Sequence, residues 1–229
     1  MSRPTRPIIE ASLWSADLGS LARDVERMSP FADAFHVDVA DAHFTPALLF
    51  FPELLAAIRP HSTAPFHVHL MTTDPTLIVE AFSEAGADAI TVHAEIGDKA
   101  VQAIETIRKL GRSAGVALRA DTEPRAAMEF LPGVDRIVMV GTPLGTRASE
   151  LAPDALARLH EVRSLLSARA DAAAVTVLAD GGIRDHTVPP LLAAGADGVV
   201  AGSLLFGSLK PAATAAWMRS LAVGRTEST

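Results

Sequence analysis

The chain has no cysteine among its 229 residues. Disulfides, thiolate metal sites and a cysteine nucleophile are therefore excluded, and any metal must bind through histidine and carboxylate. Lysine is nearly as scarce. Lys99 and Lys109 fall in one helical segment and Lys210 near the start of the last, so none occupies a strand end where a Schiff base could form. Positive charge is also short: 20 Lys plus Arg face 27 Asp plus Glu, a net charge of -7 with a pI near 5.6. That balance excludes a broad electrostatic hold on nucleic acid but leaves room for a small local anion site. No long uninterrupted apolar run is present. The most hydrophobic tract, Val188 to Phe206, is broken by Asp197 and several glycines, and the opening MSRPTRPIIEASLWSAD lacks the apolar centre of a signal peptide. A cytoplasmic protein with no membrane partner is expected.

What the sequence does contain is ordinary for a packed globular enzyme: 49% hydrophobic and 21% charged residues, enough for a sizeable core. Short β-branched or apolar runs alternate with longer amphipathic, alanine- and leucine-rich segments, the signature of repeated βα units. Strands are predicted near Ile8 to Leu13, Ala34 to Val39, Phe66 to Leu70, Ala89 to His93, Ala114 to Leu118, Arg136 to Val140, Val175 to Ala179 and Gly198 to Ala201. Helices follow at about Leu18 to Met28, Pro52 to Ile58, Pro75 to Ala85, Lys99 to Leu110, Glu123 to Phe130, Pro153 to Ala168, Asp185 to Ala194 and Ala212 to Leu221. The phrases Glu84-Ala85-Gly86-Ala87-Asp88 and Ala193-Ala194-Gly195-Ala196-Asp197 repeat one helix-to-strand connection. No linker or charge block divides the chain. The expected fold is α/β, a single (β/α)8 barrel spanning about residues 8–222 of a one-domain chain 1–229, with a polar tail 223–229. An open doubly wound sheet is the alternative, but no Gly-x-Gly-x-x-Gly follows the first strand.

Barrel enzymes carry their chemistry at the C-terminal ends of strands. The second strand reads Phe35-His36-Val37-Asp38-Val39 and the third Phe66-His67-Val68-His69-Leu70; a period of two points His36 with Asp38, and His67 with His69, to one face. The seventh ends at Asp180-Gly181-Gly182. His36, Asp38, His69 and Asp180 thus form a nitrogen and oxygen donor set suited to zinc, manganese or iron. Any one of them alone is more often a buried polar residue satisfied by backbone. Four ionisable groups together are costly to bury unpaired. A phosphate signal lies in the turns Asp180-Gly181-Gly182-Ile183 and Val200-Ala201-Gly202-Ser203, whose small residues let backbone N–H groups approach an anion.

These stretches, with Ala11-Ser12-Leu13-Trp14-Ser15-Ala16-Asp17, His36 through Phe44, Val68-His69-Leu70-Met71, Ile90-Thr91-Val92-His93-Ala94-Glu95 and Gly115-Val116-Ala117-Leu118, resemble the ribulose-phosphate 3-epimerase family from about Ile8 to Phe206. The resemblance implies a TIM barrel with His36, Asp38, His69 and Asp180 as ligands of one divalent ion, zinc placed ahead of manganese, iron or cobalt. It implies that Asp38 is the base and Asp180 the acid of a two-carboxylate epimerisation at carbon 3 through a metal-stabilised enediolate. D-ribulose 5-phosphate to D-xylulose 5-phosphate is the expected reaction, with another tetrulose, pentulose or hexulose phosphate as the alternative. Ser12 and Met71 would line the substrate pocket, and Gly181, Gly182, Gly202 and Ser203 would hold the phosphate. A homo-oligomer is implied as well.

The chain also departs from the family pattern. After the sixth strand the usual Pro-Gly-Phe-Gly-Gly lid is replaced by Gly141-Thr142-Pro143-Leu144-Gly145-Thr146-Arg147, where Arg147 is a candidate phosphate contact or simply solvated. Ala40 stands for a methionine, His67 for an acid, and Arg119-Ala120-Asp121 for Asn-Pro. His43 and His93 read as packing or supporting groups, His61, His160 and His186 as noncatalytic, Trp14 as a pocket border and Trp217 as helix packing. Decarboxylation or aldol chemistry on a related barrel needs an Asp-x-Lys-x-x-Asp array, which Val39-Ala40 breaks. A noncatalytic sugar-phosphate binder has no need of two opposed carboxylates.

Overall fold

The computed structural model describes residues 4–146, 149–172 and 174–224. Eight parallel strands run β1 (Ile8–Ser12), β2 (Ala34–Asp41), β4 (Phe66–Met71), β5 (Ala89–His93), β6 (Ser113–Leu118), β7 (Arg136–Val140), β8 (Thr176–Asp180) and β9 (Gly198–Ala201). Each pairs with the next, β9 pairs back to β1 and β1 to β2, so the sheet closes into the expected (β/α)8 barrel. The two-residue β3 (Leu48–Leu49) runs antiparallel to the end of β2 and was not foreseen. The helices are α1 (Leu21–Met28), α2 (Pro52–Ile58), α3 (Val79–Glu84), α4 (Asp98–Lys109), α5 (Ala155–Ser167), α6 (Val188–Ala193), α7 (Ser203–Phe206) and α8 (Pro211–Ser220). Between β6 and β7 the predicted helix is instead a 3-10 turn run, Pro124–Phe130. No helix among the described residues is long and apolar enough to cross a membrane.

Period-two alternation sorts every strand. Ile9, Phe35, Val37, Phe66, Val68, Ile90, Val116, Ile137, Val177 and Val199 face outward into one buried cluster shared with the helices. The inward face is uneven: Ala117, Val138, Val140 and Leu178 pack together on the β6–β8 side, whereas Glu10, Ser12, His36, Asp38, His67, His69, Thr91 and His93 occupy the inside of β1 to β5.

The repeated connection has a structural purpose. Asp88 donates its N–H to the Phe66 carbonyl at 2.9 Å while its carboxylate accepts the Phe66 N–H at 2.9 Å. Asp197 does the same to Val177, at 2.7 and 2.9 Å. Asp33 with Ile9 (2.8 and 2.9 Å) and Asp135 with Ala114 (2.8 and 3.1 Å) complete a set of four. Each aspartate lies just before β2, β5, β7 or β9 and clamps the start of the preceding barrel strand, satisfying backbone groups that a parallel sheet leaves open at its edge layer.

Candidate functional site

Strand register places the polar residues at matching heights. His36 is opposite His67, Asp38 opposite His69, Val140 opposite Asp180 and Ala40 opposite Met71. Barrel curvature then turns these inward residues toward one point. His36 Nε2 lies 3.3 Å from His69 Nδ1, 3.4 Å from Asp38 Oδ1 and 3.9 Å from Asp180 Oδ2; His69 Nδ1 is 3.6 Å from each carboxylate. All four donor atoms fall within 4.8 Å of one another. Donors at about 2.0–2.2 Å from a tetrahedral zinc are separated by about 3.3–3.6 Å. The spacing therefore fits a first-row divalent cation, and the donor types fit it equally.

Electrostatics agree with that fit. Burial works against charge on His36, yet Asp38, Glu10 and Asp180 around it raise its pKa well above the ordinary value, so the position favours positive charge. Burial also opposes ionisation of Asp38, but His36 and His69 hold it below the usual carboxylate range. For Asp180 burial pushes the pKa up; His36 pulls against it, and the charge of Asp38 adds to the rise. Two carboxylates in one site thus differ in their tendency to hold a proton.

Both histidines are oriented from behind. His36 Nδ1 meets Glu10 Oε2 at 2.8 Å. His69 Nε2 meets His93 Nε2 at 2.9 Å, and His93 Nδ1 meets Glu95 Oε2 at 2.9 Å. Glu95 accepts the Arg119 N–H at 2.8 Å and the Thr122 hydroxyl at 2.5 Å. Burial lowers the pKa of His93 to about 4, so it stays neutral at ordinary pH. Glu10 and Glu95 had no role in the sequence reading; Glu95 lay inside a quoted motif, while nothing local marked Glu10. A second group, Glu10, His36 and His67, is also compact. Its contacts of 2.7 and 2.8 Å are hydrogen bonds, leaving no space for an ion between the atoms.

Above the donor atoms a cavity of about 270 Å³ opens at the C-terminal end of the barrel. Ser12, Met71, Asp38, Asp180, Gly181, Gly182, Gly202 and Ser203 all line it, and Trp14 borders it as expected. Ser12 donates its hydroxyl to Asp38 Oδ2 at 2.8 Å. Gly181 and Gly182 adopt φ of 86° and 67°, and a Cβ on Gly181 would collide with the Thr142 hydroxyl, so this turn requires glycine. The divergent loop lines the cavity through Thr142, Pro143, Leu144, Gly145 and Thr146, with Leu144 packed on the inner apolar cluster. Arg147 lies outside the described residues. Arg184, absent from the sequence reading, is the one basic side chain among the described residues lining the cavity; Nη1 donates to the Ile183 carbonyl at 2.8 Å and sits 3.4 Å from Ser203 Oγ. Ala40 is buried and does not line the cavity. His43 is exposed against Asp41, and His61, His160 and His186 are exposed or half-exposed on the surface. His67, which stands where the family pattern has an acid, binds Glu10 at 2.7 Å. Trp217 packs on the outer core.

The model of the "Ribulose-phosphate 3 epimerase family" matches residues 8–206. A ribulose-phosphate 3-epimerase of Mycobacterium bovis is 33% identical over 215 residues, covering 93% of this chain and 92% of the relative. One of Rhodobacter capsulatus is 35% identical over 199 residues, covering 86% and 85%. Among solved structures, 3-keto-L-gulonate-6-phosphate decarboxylase from Vibrio cholerae superposes with a TM-score of 0.71 at 18% identity, covering 94% of this chain and 96% of that one, a likeness of fold.

Proposed function

Because the chain belongs to the ribulose-phosphate 3 epimerase family, we propose that it inverts carbon 3 of a ketose phosphate, interconverting D-ribulose 5-phosphate and D-xylulose 5-phosphate. The observation that carries this reading is the convergence of His36, Asp38, His69 and Asp180 beneath a cavity also lined by the Gly181-Gly182 and Gly202-Ser203 turns. A ketose phosphate needs those two ends: an acid and base pair at the reacting carbon, and anion-binding backbone a few bonds away.

His36, Asp38, His69 and Asp180 would hold one divalent cation, zinc ahead of manganese, iron or cobalt. When bound, such a cation supplies electrophilic stabilisation of the negative charge that develops on the substrate's oxygens. The chain's own groups do the rest. Asp38, held ionised by His36 and His69 and oriented by Ser12, removes the proton from carbon 3. The electron pair left behind becomes part of an enediolate. Asp180, whose carboxyl is biased toward the protonated form, returns a proton to the opposite face of the same carbon. One carboxyl gains the proton that the other loses, so the reverse reaction uses the pair with exchanged roles. Met71 supplies an apolar wall, and Gly181, Gly182, Gly202 and Ser203 cradle the phosphate with Arg184 beside them. The lysine-free end of β2 speaks against the decarboxylase chemistry of the structural neighbour.

The test is exchange in D₂O. A panel of ketose phosphates should reveal one substrate that gains a single deuterium at carbon 3. Asp180→Asn should abolish the exchange while leaving the circular dichroism spectrum unchanged. Normal turnover in that variant would remove Asp180 from the mechanism, and no exchange with any pentulose phosphate would refute the substrate assignment.

A further inference from the structure

Behind His36 the barrel interior holds a polar layer whose other members have no part in the proposed reaction. Barrel interiors are filled chiefly by branched apolar side chains. Here Glu10 on β1, His36 on β2, His67 on β4 and Thr91 on β5 are each at most 2% exposed and bonded to one another, with Arg136 of β7 at the edge. Glu10 Oε2 accepts from His36 Nδ1 at 2.8 Å and from His67 Nδ1 at 2.7 Å. His67 Nε2 is then left as an acceptor, and the Thr91 hydroxyl donates to it at 2.7 Å. The second oxygen of Glu10 faces Arg136 Nη1 at 3.4 Å. One carboxylate and one guanidinium balance in charge, and the hydrogen bonds have a consistent direction from Thr91 to Glu10.

Space for this layer comes from β6. A Cβ on Gly115 would overlap the Thr91 hydroxyl and lie 2.5 Å from Arg136 Cγ. Five strands therefore contribute a side chain and a sixth contributes the lack of one. Such an arrangement over-determines the position of Glu10, which has two imidazole donors and a cation around a single carboxylate.

We propose that Glu10 is a positioning residue for His36: it accepts the Nδ1 proton and fixes the ring, so that Nε2 is the nitrogen turned toward Asp38, His69 and Asp180, while His67, Thr91 and Arg136 hold Glu10 in place. The inference rests on the reading of those four residues as a cation site. A carboxylate behind a ligating histidine fixes its tautomer and ring orientation and is worth about 10- to 100-fold in metal affinity. The other histidine is served less directly, since His69 reaches Glu95 only through His93. His36 has the carboxylate in immediate contact, so removal of Glu10 has the more direct effect.

Zn²⁺ alone, in competition with a chromophoric chelator and without substrate, provides the first readout. Glu10→Gln preserves size and removes the charge; it should bind Zn²⁺ about 10- to 100-fold more weakly than the wild type. Thr91→Val, which preserves shape and removes the donor to His67, should shift affinity in the same direction by less. The second readout is ¹⁵N-histidine NMR of the Zn²⁺-loaded wild type, where His36 should carry its proton on Nδ1. Unchanged Zn²⁺ affinity in folded Glu10→Gln, or a His36 proton on Nε2, overturns the proposal. If Glu10→Gln does not fold, Thr91→Val and the wild-type spectrum decide. A wild type that binds no Zn²⁺ overturns the cation site itself, and the D₂O exchange reports separately on the epimerase reading.

Discussion

Arg184 brings a full positive charge to a cavity whose other ionisable lining groups, among the described residues, are Asp38 and Asp180. A phosphate placed against Gly202 and Ser203 would lie beside its guanidinium, which has no carboxylate partner among the described residues. Loss of a charge-assisted hydrogen bond costs about 1.5–3 kcal/mol. Arg184→Met should therefore raise KM about 10- to 100-fold, while kcat falls less because the phosphate is remote from carbon 3. Steady-state kinetics checks this, and a fall confined to kcat would place Arg184 elsewhere in the mechanism. The donor residues were legible in the sequence because His36 with Asp38 and His67 with His69 are two apart on one strand, where periodicity alone sets their side. Glu10 was not, because its partners are 26, 57 and 126 residues away and meet it only once the barrel closes. The same distance in sequence concealed the function of His67.

Strands were easier to read than the pieces between them. All eight barrel strands fall within one or two residues of prediction, since continuous apolar runs bounded by glycine and aspartate leave little freedom in their limits. β3 and α7 are two and four residues long, below any measurable period. Two of the four aspartate clamps were visible as a repeated phrase; Asp33 and Asp135 have different neighbours and were not. Asp33 also carries a consequence for acid stability. Burial opposes its ionisation, but Arg6, the Ile9 N–H and Arg219 lower its pKa below the ordinary 3.8. A carboxyl that ionises more readily in the fold than in the unfolded chain contributes fully above the unfolded value and loses that contribution as pH falls through the folded one. Asp33→Asn should thus be less stable than the wild type at pH 7 by about 1–3 kcal/mol. In urea melts taken toward pH 3 the gap should narrow; a gap that widened on acidification would contradict the sign.

At the scale of the molecule, the two faces of the barrel wall divide the labour. Outward residues such as Phe35, Phe66 and Val199 join one core with the helices, and inward residues of β1 to β5 carry charge and imidazole. A fold of this kind tolerates polar interiors because its hydrophobic stabilisation lies mainly outside the ring. The overall architecture was legible because alternation of βα units is a property of the whole chain, whereas the asymmetry of the interior depends on which strands become neighbours. Asp33 also ties a residue near each end of the described chain to one carboxylate: Arg6 reaches it at 2.7 Å and Arg219 at 3.3 Å. A linker joining the segments that carry Arg6 and Arg219 would let the chain be opened elsewhere. Opened at Gly111, a circular permutant keeps every clamping aspartate on the same continuous stretch as the strand it secures. Opened at Gly195, it parts Asp197 from Val177 and leaves their union to be remade across a break. The first permutant should melt at the higher temperature, and a reversed ranking would show that the four-part stitching of the barrel floor is dispensable.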